Sequence, residues 1–223
     1  MKSQACLTAT VTDSSGTPVP NVNVVFSVTT AAVTQASPSS GTVATNSSGQ
    51  ATFCYSAQLP GQDAVHAFAD SNHNGVQDPG EPFDDATVTW ILPVSTPGCE
   101  INITNGGWIV AANGDKSNFG GDAKIQAHGS LSGQEQYSDH GAAANMDVHS
   151  LNVLAIVCKN NFEFADIYGQ ATVNGSGSFN YRIEVTDPDT AGGSDTYWML
   201  LSNGYNSGSQ PLGGGNVEIH TAS

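Results

Sequence analysis

The chain has 223 residues, with 20 Asp and Glu against five Lys and Arg, and a formal net charge of −15. This acidic balance repels phosphate backbones and anionic lipid, which excludes nucleic acid and membrane surfaces as expected partners. The length allows two domains of about 100 to 120 residues, and no apolar run is long enough to span a bilayer. Plentiful Gly, Ser, Thr and Asn favour a secreted all-β protein with many turns.

Residues 7–55 alternate between apolar and polar positions, as half-buried strands do. The apolar members are Leu7, Ala9 and Val11, then Val22, Val24, Phe26 and Val28, then Ala51, Phe53 and Tyr55. Turns rich in Gly, Pro, Ser and Asn separate these rows. The pattern predicts about seven short strands at the spacing of a β-sandwich.

The order of these strands and turns carries a family resemblance. The matching strings are LTATVTD at 7–13, GTPVP at 16–20, TNSSGQATF at 45–53, AFAD at 67–70 and TVTW at 87–90. Over about residues 5–91 they resemble the bacterial Ig-like domain of the invasin/intimin group. The resemblance implies an Ig-like β-sandwich that serves as a spacer or adhesive segment of surface and secreted proteins.

A possible metal loop lies inside this region, at residues 70–81. Oxygen-bearing side chains occupy the EF-hand-like loop positions 1, 3, 5, 9 and 12, namely Asp70, Asn72, Asn74, Asp78 and Glu81. Gly75 stands at position 6, where a sharp turn is needed, and Val76 at position 7 would offer its carbonyl. The spacing predicts a calcium site that braces a β-domain. An acidic hairpin turn without metal is the alternative, because Asn-Gly and Pro-Gly also mark turns.

Four cysteines divide evenly between the two halves of the chain. Without a CxxC motif or Cys/His cluster, two disulfides in an oxidising compartment are favoured over four buried thiols. We expect Cys6 to pair with Cys54 and Cys99 with Cys158, because each domain has to be stable on its own.

The domain boundaries follow from a short proline-containing stretch. We predict a first domain over 1–92, a linker over 93–98 and a second, β-sandwich-like domain over 99–223. The opening residues do not form a signal peptide, so we expect the chain to be part of a larger exported protein.

The second domain is also rich in strands, and it too carries a resemblance. The strings NFGG at 118–121, VHS at 148–150, GQATVNG at 169–175, VTDPD at 185–189 and GGGNVEIH at 213–220 resemble a C-terminal β-domain of secreted multidomain proteins, of the "post-COAP" type. This resemblance implies an architecture and little chemistry. We also expect the terminal strand, residues 216–220, to be a free edge at which copies could associate.

Two further sets of residues are candidates for binding. Asp187, Asp189 and Asp195 bracket a turn and are candidates for a second calcium ion, with a solvated acidic turn as the alternative. Trp108 and Trp198 are candidates for stacking on sugars, although such rings more often fill the core.

The histidines of the second domain are a weaker group of candidates. His128, His140 and His149 could form a metal site if their strands were neighbours, but none has the i, i+2 spacing that presents two ligands from one strand. Ordinary polar histidines are the favoured interpretation.

No catalytic motif is present, so we expect no enzymatic activity. The sequence indicates a non-enzymatic, calcium-braced and disulfide-stapled extracellular segment of a prokaryotic surface or secreted protein, with structural or adhesive function. Its expected partners are other domains of the parent chain, a cell-surface or polysaccharide ligand, or a second copy. The alternative is a carbohydrate-binding accessory module of a secreted hydrolase.

Overall fold

The computed structural model describes residues 3–95, 99–125, 129–159, 162–188 and 194–221. The chain divides into two compact units, Met1–Ile91 and Leu92–Ser223. Strands are the main secondary structure of both, which confirms the predicted all-β class. In the part of the chain that the structure describes, no helix is long and apolar enough to cross a membrane.

The first unit is built from two antiparallel sheets. Its elements are β1 (Ser3–Thr10), β2 (Asn23–Val28), α1 (Ala31–Thr34), β3 (Ser40–Ala44), β4 (Gln50–Ala57), β5 (Gly61–Asp70) and β6 (Phe83–Trp90). Strands β1 and β4 form one sheet, and the other has the order β3-β2-β5-β6.

Alternation along these strands places the apolar residues of the first unit in its core. Val24 and Phe26 of β2 are 1% exposed, and Phe53 and Tyr55 of β4 pack against them in one cluster. The rings of Phe26 and Phe53 are stacked at 5.3 Å, and those of Phe53 and Tyr55 at 5.9 Å. The two sheets therefore share an aromatic core, as in a β-sandwich.

A buried carboxylate joins three elements of the first unit. Asp63 of β5 is fully buried and accepts hydrogen bonds from Thr34 Oγ1 of α1 at 2.6 Å and from Trp90 Nε1 of β6 at 2.7 Å. Because an unpaired buried charge is costly, these donors are needed to keep Asp63 inside. They tie α1 and the end of β6 to β5.

The second unit contains one sheet of nine strands among its described residues. The strands are β7 (Ile101–Val110), β8 (Lys116–Ile125), β9 (Leu131–Asp139), β10 (Met146–Lys159), β11 (Phe164–Val173), β12 (Ser176–Thr186), β13 (Thr196–Leu201), β14 (Gln210–Pro211) and β15 (Gly214–Thr221). Each strand from β7 to β14 pairs antiparallel with the next, and β15 returns to pair with β7.

The two ends of this sheet meet. The Gly213 N–H donates to the carbonyl oxygen of Trp108 in β7 at 2.9 Å, and the Leu212 N–H donates to the carbonyl oxygen of Asp195 at 3.0 Å. The sheet is therefore closed like a barrel around one core. This differs from the expected sandwich-like arrangement, because a chain of hairpins keeps each strand beside its predecessor, and the described residues of this unit form one sheet.

The second unit begins at Leu92, which the sequence assigned to the first domain, and it includes the predicted linker. Leu92 packs against Ala155, Val157 and Tyr168, and the Ile156 N–H donates to Ser95 Oγ at 3.4 Å. Whether residues 93–98 act as a linker stays a prediction, since 96–98 lie outside the described residues.

Candidate metal centre

The predicted calcium loop, residues 70–81, connects β5 to β6. Asp70 is the last residue of β5 and is 2% exposed. The hairpin is closed behind the loop by a hydrogen bond of 2.9 Å from the Ala69 N–H to the Pro82 carbonyl oxygen. The loop therefore starts from a buried carboxylate, and the paired hairpin holds its two ends together.

The Asp70 carboxylate organises the first half of the loop. Its Oδ1 accepts the Asn74 N–H at 3.0 Å, and its Oδ2 accepts the Gly75 N–H at 2.9 Å. Gly75 has a φ of 76°, in the left-handed region that glycine adopts without a steric cost. This turn reverses the chain at position 6, where an EF-hand-like loop needs a sharp turn.

Two asparagine amides are turned toward Asp78. Asn72 Nδ2 and Asn74 Nδ2 each donate to Asp78 Oδ2 at 2.7 Å. Their Oδ1 atoms accept backbone N–H groups, that of Asn72 from Asn74 at 3.1 Å and that of Asn74 from Val76 at 2.8 Å. The Asp78 side chain thus contacts the side chains of two other predicted ligands.

Glu81 connects the end of the loop to its beginning. Its Oε1 accepts the Ser71 N–H at 2.7 Å and the Ser71 hydroxyl at 3.0 Å, and its Oε2 accepts the Asp78 N–H at 3.0 Å. The hydrogen bond from the Asp78 N–H lowers the pKa of Glu81, and those from Ser71 add to this effect. Glu81 is therefore ionised at neutral pH, with both oxygens held inside the loop.

The donor set of the loop fits a hard cation chemically. All candidate ligands are oxygens, and Val76, whose side chain has no atom that can bind a metal, would contribute its carbonyl. Residues 3–95 contain neither lysine nor arginine, so no such side chain of this segment balances Asp70, Asp78 and Glu81. The three carboxylates are connected through amide and backbone N–H groups and do not contact one another directly. Within the described residues, no three His, Cys, Asp or Glu side chains form a group that could hold a metal ion.

His66 ties the loop to the outer face of the hairpin. Its Nδ1 is 2.7 Å from Asp85 Oδ1 of β6, and its Nε2 is 3.0 Å from Gln77 Oε1 of the loop. The His66 ring also contacts Phe68 and Phe83 at centroid distances of 6.2 and 5.4 Å. The sequence pattern did not single out His66, because its pairing with Asp85 depends on the β5–β6 register.

The aspartates considered for a second calcium ion have other partners. Asp187 Oδ2 accepts the Ile219 N–H at 2.8 Å, and Asp195 Oδ2 accepts the Val217 N–H at 2.9 Å. Both amides belong to β15, so part of the edge that we expected to be free is occupied. Association of copies at this edge stays a prediction. One side of β15 pairs with β7, and these carboxylates receive two N–H groups of the other side. Asp189 lies outside the described residues.

The histidines of the second unit do not gather in the described part of the chain. His140 contacts Asn145 Oδ1 at 2.9 Å and Asp147 Oδ1 at 3.0 Å. The hydrogen bond with Asn145 and the nearby Asp147 carboxylate raise the pKa of His140. His149 lies on β10, and His128 falls outside the described residues.

Both tryptophans proposed for sugar stacking have intramolecular partners. Lys116 Nζ lies 4.2 Å from the centroid of the Trp108 ring, and a Cβ on Gly213 would collide with that ring. The guanidinium of Arg182 lies 5.4 Å from the centroid of the Trp198 ring, and Trp198 Nε1 donates to Asn206 at 2.7 Å. Neither ring is an empty stacking platform.

Both predicted disulfides are present in the structure. Cys6 and Cys54 are directly opposed on β1 and β4, with Cα atoms 4.0 Å apart. Cys99 and Cys158 have Cα atoms 5.9 Å apart. Each bridge lies within one unit, as expected from the division of the chain.

Comparison with protein families matches residues 2–80 to the bacterial Ig-like domain (group 1). This match confirms the Ig-like part of the predicted resemblance, and it covers β1 to β5 and most of the loop. It does not extend to the second unit. No curated protein matched the chain, and no solved structure matched it.

Proposed function

We propose that the chain is a structural and adhesive segment of an extracellular prokaryotic protein, in which an invasin/intimin-like spacer carries a second β-domain of the post-COAP type. The observation that carries this proposal is the match of residues 2–80 to a bacterial Ig-like domain, a fold that suggests a structural or adhesive module. A non-enzymatic role agrees with a sequence that lacks nucleophile and metalloprotease motifs.

The two disulfides support an extracellular location. All four cysteines of the sequence are paired, one bridge in each unit. Disulfides persist in oxidising compartments and are rare in the cytosol. The acidic composition is also suited to a medium that contains millimolar divalent cations, because weak calcium sites depend on clustered carboxylates.

We further propose that calcium braces the β5–β6 hairpin through the loop at 70–81. The ligands would be Asp70, Asn72, Asn74, the Val76 carbonyl, Asp78 and Glu81. Two features support this: the loop is already curled by hydrogen bonds to its carboxylates, and residues 3–95 offer no lysine or arginine to neutralise them. The ion would supply that neutralisation.

Rotation of two amides would adapt the loop to the ion. Asn72 and Asn74 now direct Nδ2 at Asp78. This orientation is expected because a carboxylate accepts hydrogen bonds and the Nδ2 group of an amide donates them. A half turn of each amide would direct Oδ1 toward the ion instead, at the cost of the hydrogen bonds that these oxygens now accept from the Asn74 and Val76 N–H groups. Calcium binding would therefore change the side-chain amide signals of these two residues.

The test is the melting temperature of the chain in calcium and in chelator. Calcium at one hundred times its Kd stabilises the folded state by about 2.7 kcal/mol, and for a domain of this size the rise in Tm is on the order of 10 °C. Glu81→Gln keeps the size of the side chain but removes the bidentate carboxylate, so the calcium-dependent rise should shrink or vanish.

Asp13→Asn is the matched control. The Asp13 carboxylate also accepts hydrogen bonds in a turn, from the N–H groups of Ser15 and Thr17, both at 2.9 Å. This variant should retain the full response to calcium even if its baseline Tm falls. The proposal is wrong if the unmodified chain melts at the same temperature in millimolar calcium and in chelator, or if Glu81→Gln responds as strongly as the unmodified chain.

We do not extend the proposal to a carbohydrate-binding module. The two candidate rings, Trp108 and Trp198, are engaged by Lys116 and Arg182, and no observation on the described residues favours a sugar site there.

A further inference from the structure

One edge of β1 offers hydrogen-bonding groups without a partner strand. The Cα atoms of Cys6 and Cys54 are 4.0 Å apart, which is the spacing of a directly opposed pair that exchanges no backbone hydrogen bonds. Because bonded and non-bonded pairs alternate, the even-numbered residues from 4 to 10 turn their N–H and C=O groups away from β4. Among the described strands, only β4 pairs with β1.

The edge of β1 lacks the devices that normally prevent pairing. Natural edge strands carry charges, prolines or bulges that discourage a further strand. Strand β1 has eight residues, none of them charged and none of them proline. By contrast, the outer edge of β6 carries Asp84 and Asp85, and Asp84 Oδ1 already accepts the Asp85 N–H at 2.9 Å. The edge of β15 is occupied by Asp187 and Asp195.

A groove of about 410 Å³ runs beside the unpaired edge. Its lining comprises residues 8–12 at the end of β1 and beyond, Val24 and residues 67–69 from the four-stranded sheet, and residues 82–84 at the start of β6. Apolar side chains predominate, and the volume is in the range of ligand pockets, about 300 to 1,000 Å³. A strand added beside β1 would place alternate side chains over this groove.

We propose that β1 and this groove bind an extended segment of a partner polypeptide by strand addition. A row of free N–H and C=O groups recognises peptide backbone, and alternating pockets recognise every second side chain. The segment pairs with the even-numbered residues of β1, and its inward side chains, of valine or similar size, enter the groove beside Ala67.

Charge determines which segments fit best. Residues 3–95 carry seven carboxylates and neither lysine nor arginine, and Asp84 lines the groove. A segment with lysine or arginine beside its apolar residues is therefore favoured over an acidic one.

A second copy of this chain is a poor occupant. The inward residues Leu7 and Ala9 of its own β1, and Val11 just after it, already pack against the core of their own unit. They cannot also fill the groove of a neighbour. The partner strand must bring side chains that are not yet buried.

The test uses a synthetic eight-residue peptide that alternates valine and threonine and has a lysine at each end, with the full-length chain. On peptide addition we expect slower hydrogen exchange at the amides of Cys6, Thr8 and Thr10, because each gains an acceptor. A peptide with glutamates in place of the lysines should bind about five- to ten-fold more weakly.

Variants distinguish the edge of β1 from the edge of β6. Thr8→Pro removes an outward N–H of β1 and should weaken binding about ten-fold or more. Thr87→Pro removes an outward N–H of β6 and should leave affinity unchanged. If Thr8→Pro does not fold, the exchange pattern of the unmodified chain still decides the question.

Three outcomes would overturn the proposal. Unchanged exchange at Cys6, Thr8 and Thr10 in saturating peptide would exclude strand addition there. Loss of binding in Thr87→Pro but not in Thr8→Pro would assign the edge to β6. A concentration-dependent dimer in sedimentation, abolished by Thr8→Pro, would assign the edge to a second copy.

Discussion

Glu135 faces the interior of the second unit from β9, with 2% of its surface exposed. Both of its carboxylate oxygens accept from Asn105 Nδ2 at 3.1 Å, while Asn105 Oδ1 has no hydrogen-bond partner in the described structure. Burial raises the pKa of Glu135 to about 8, so its carboxyl group is mostly protonated at neutral pH. The protonated group offers an O–H, and a half turn of the Asn105 amide would present Oδ1 as its acceptor.

The raised pKa of Glu135 predicts that the second unit loses stability as the pH rises. In the unfolded chain the carboxyl ionises near 4.5, whereas the folded one keeps its proton until about pH 8. Between these values the unfolded state binds fewer protons, so this group lowers the free energy of unfolding by about 1.4 kcal/mol per pH unit. Its stabilising contribution is complete below pH 4.5 and lost above about pH 8.

Glu135→Gln isolates this effect, because it keeps the shape and removes the titration. Relative to the unmodified chain, we expect its free energy of unfolding to improve steadily from about pH 5 to about pH 8. Urea denaturation at each pH, with hydrogen exchange at β9 amides to report on the second unit, measures the difference. Glu218→Gln is the control, since Glu218 is 51% exposed on β15. A difference that does not vary with pH would contradict the raised pKa.

Contacts between candidate residues could be expected from the sequence where the partners are close along the chain, although calcium binding by them stays a prediction. Asn72, Asn74 and Asp78 lie within one loop, and the spacing that singled them out also brings their side chains into contact. Glu135 was missed because the inward positions of β9 include two carboxylates, Glu135 and Asp139. Their polarity cancels the hydropathy alternation by which an inward face is recognised.

At the scale of the elements, β15 closes the second unit through two kinds of bond. Along one edge it pairs with β7 over its full length. Along the other, the Val217 and Ile219 N–H groups donate to the carboxylates of Asp195 and Asp187. Side chains thus take the place of a neighbouring strand at this seam, and they satisfy amides that would otherwise form an open edge.

The seam predicts a local effect of removing its two acceptors. In Asp187→Ala with Asp195→Ala, the amides of Val217 and Ile219 lose charge-assisted hydrogen bonds. Such bonds contribute about 1.5 to 3 kcal/mol, so hydrogen exchange at these amides should accelerate about 10- to 100-fold. Replacement by asparagine retains an acceptor oxygen and should preserve most of the protection. Equal exchange rates in the alanine variant and the unmodified chain would mean that another group protects β15.

The strands themselves could be predicted from alternation, but their partners could not. The rows around Phe26 and Phe53 fall in β2 and β4 as expected. The pairing of β15 with β7 joins strands about a hundred residues apart, and it follows from closure of the whole sheet. The same limitation applied to β1, whose open edge depends on its having no second neighbour in the two-stranded sheet with β4.

At the scale of the whole molecule, each unit has its own core and its own covalent bridge. The first core includes Val24, Phe26 and Phe53, and the second includes Ile103, Ile167 and Ile183. The bridges join residues separated by 48 and 59 positions. Because a disulfide acts mainly by restricting the unfolded chain, each should stabilise the unit whose loop it closes.

The last prediction follows from this division. Replacing Cys6 and Cys54 by serine should destabilise the first unit by about 4 kcal/mol in the chain-entropy model, and replacing Cys99 and Cys158 should do the same to the second. Hydrogen exchange resolved by segment measures both units in one sample. Each double variant should lose protection in its own strands, β1 to β6 or β7 to β15, and keep it in the other set. Equal loss in both sets would mean that the two units unfold as one cooperative body, because the bridge removed closes a loop in only one of them.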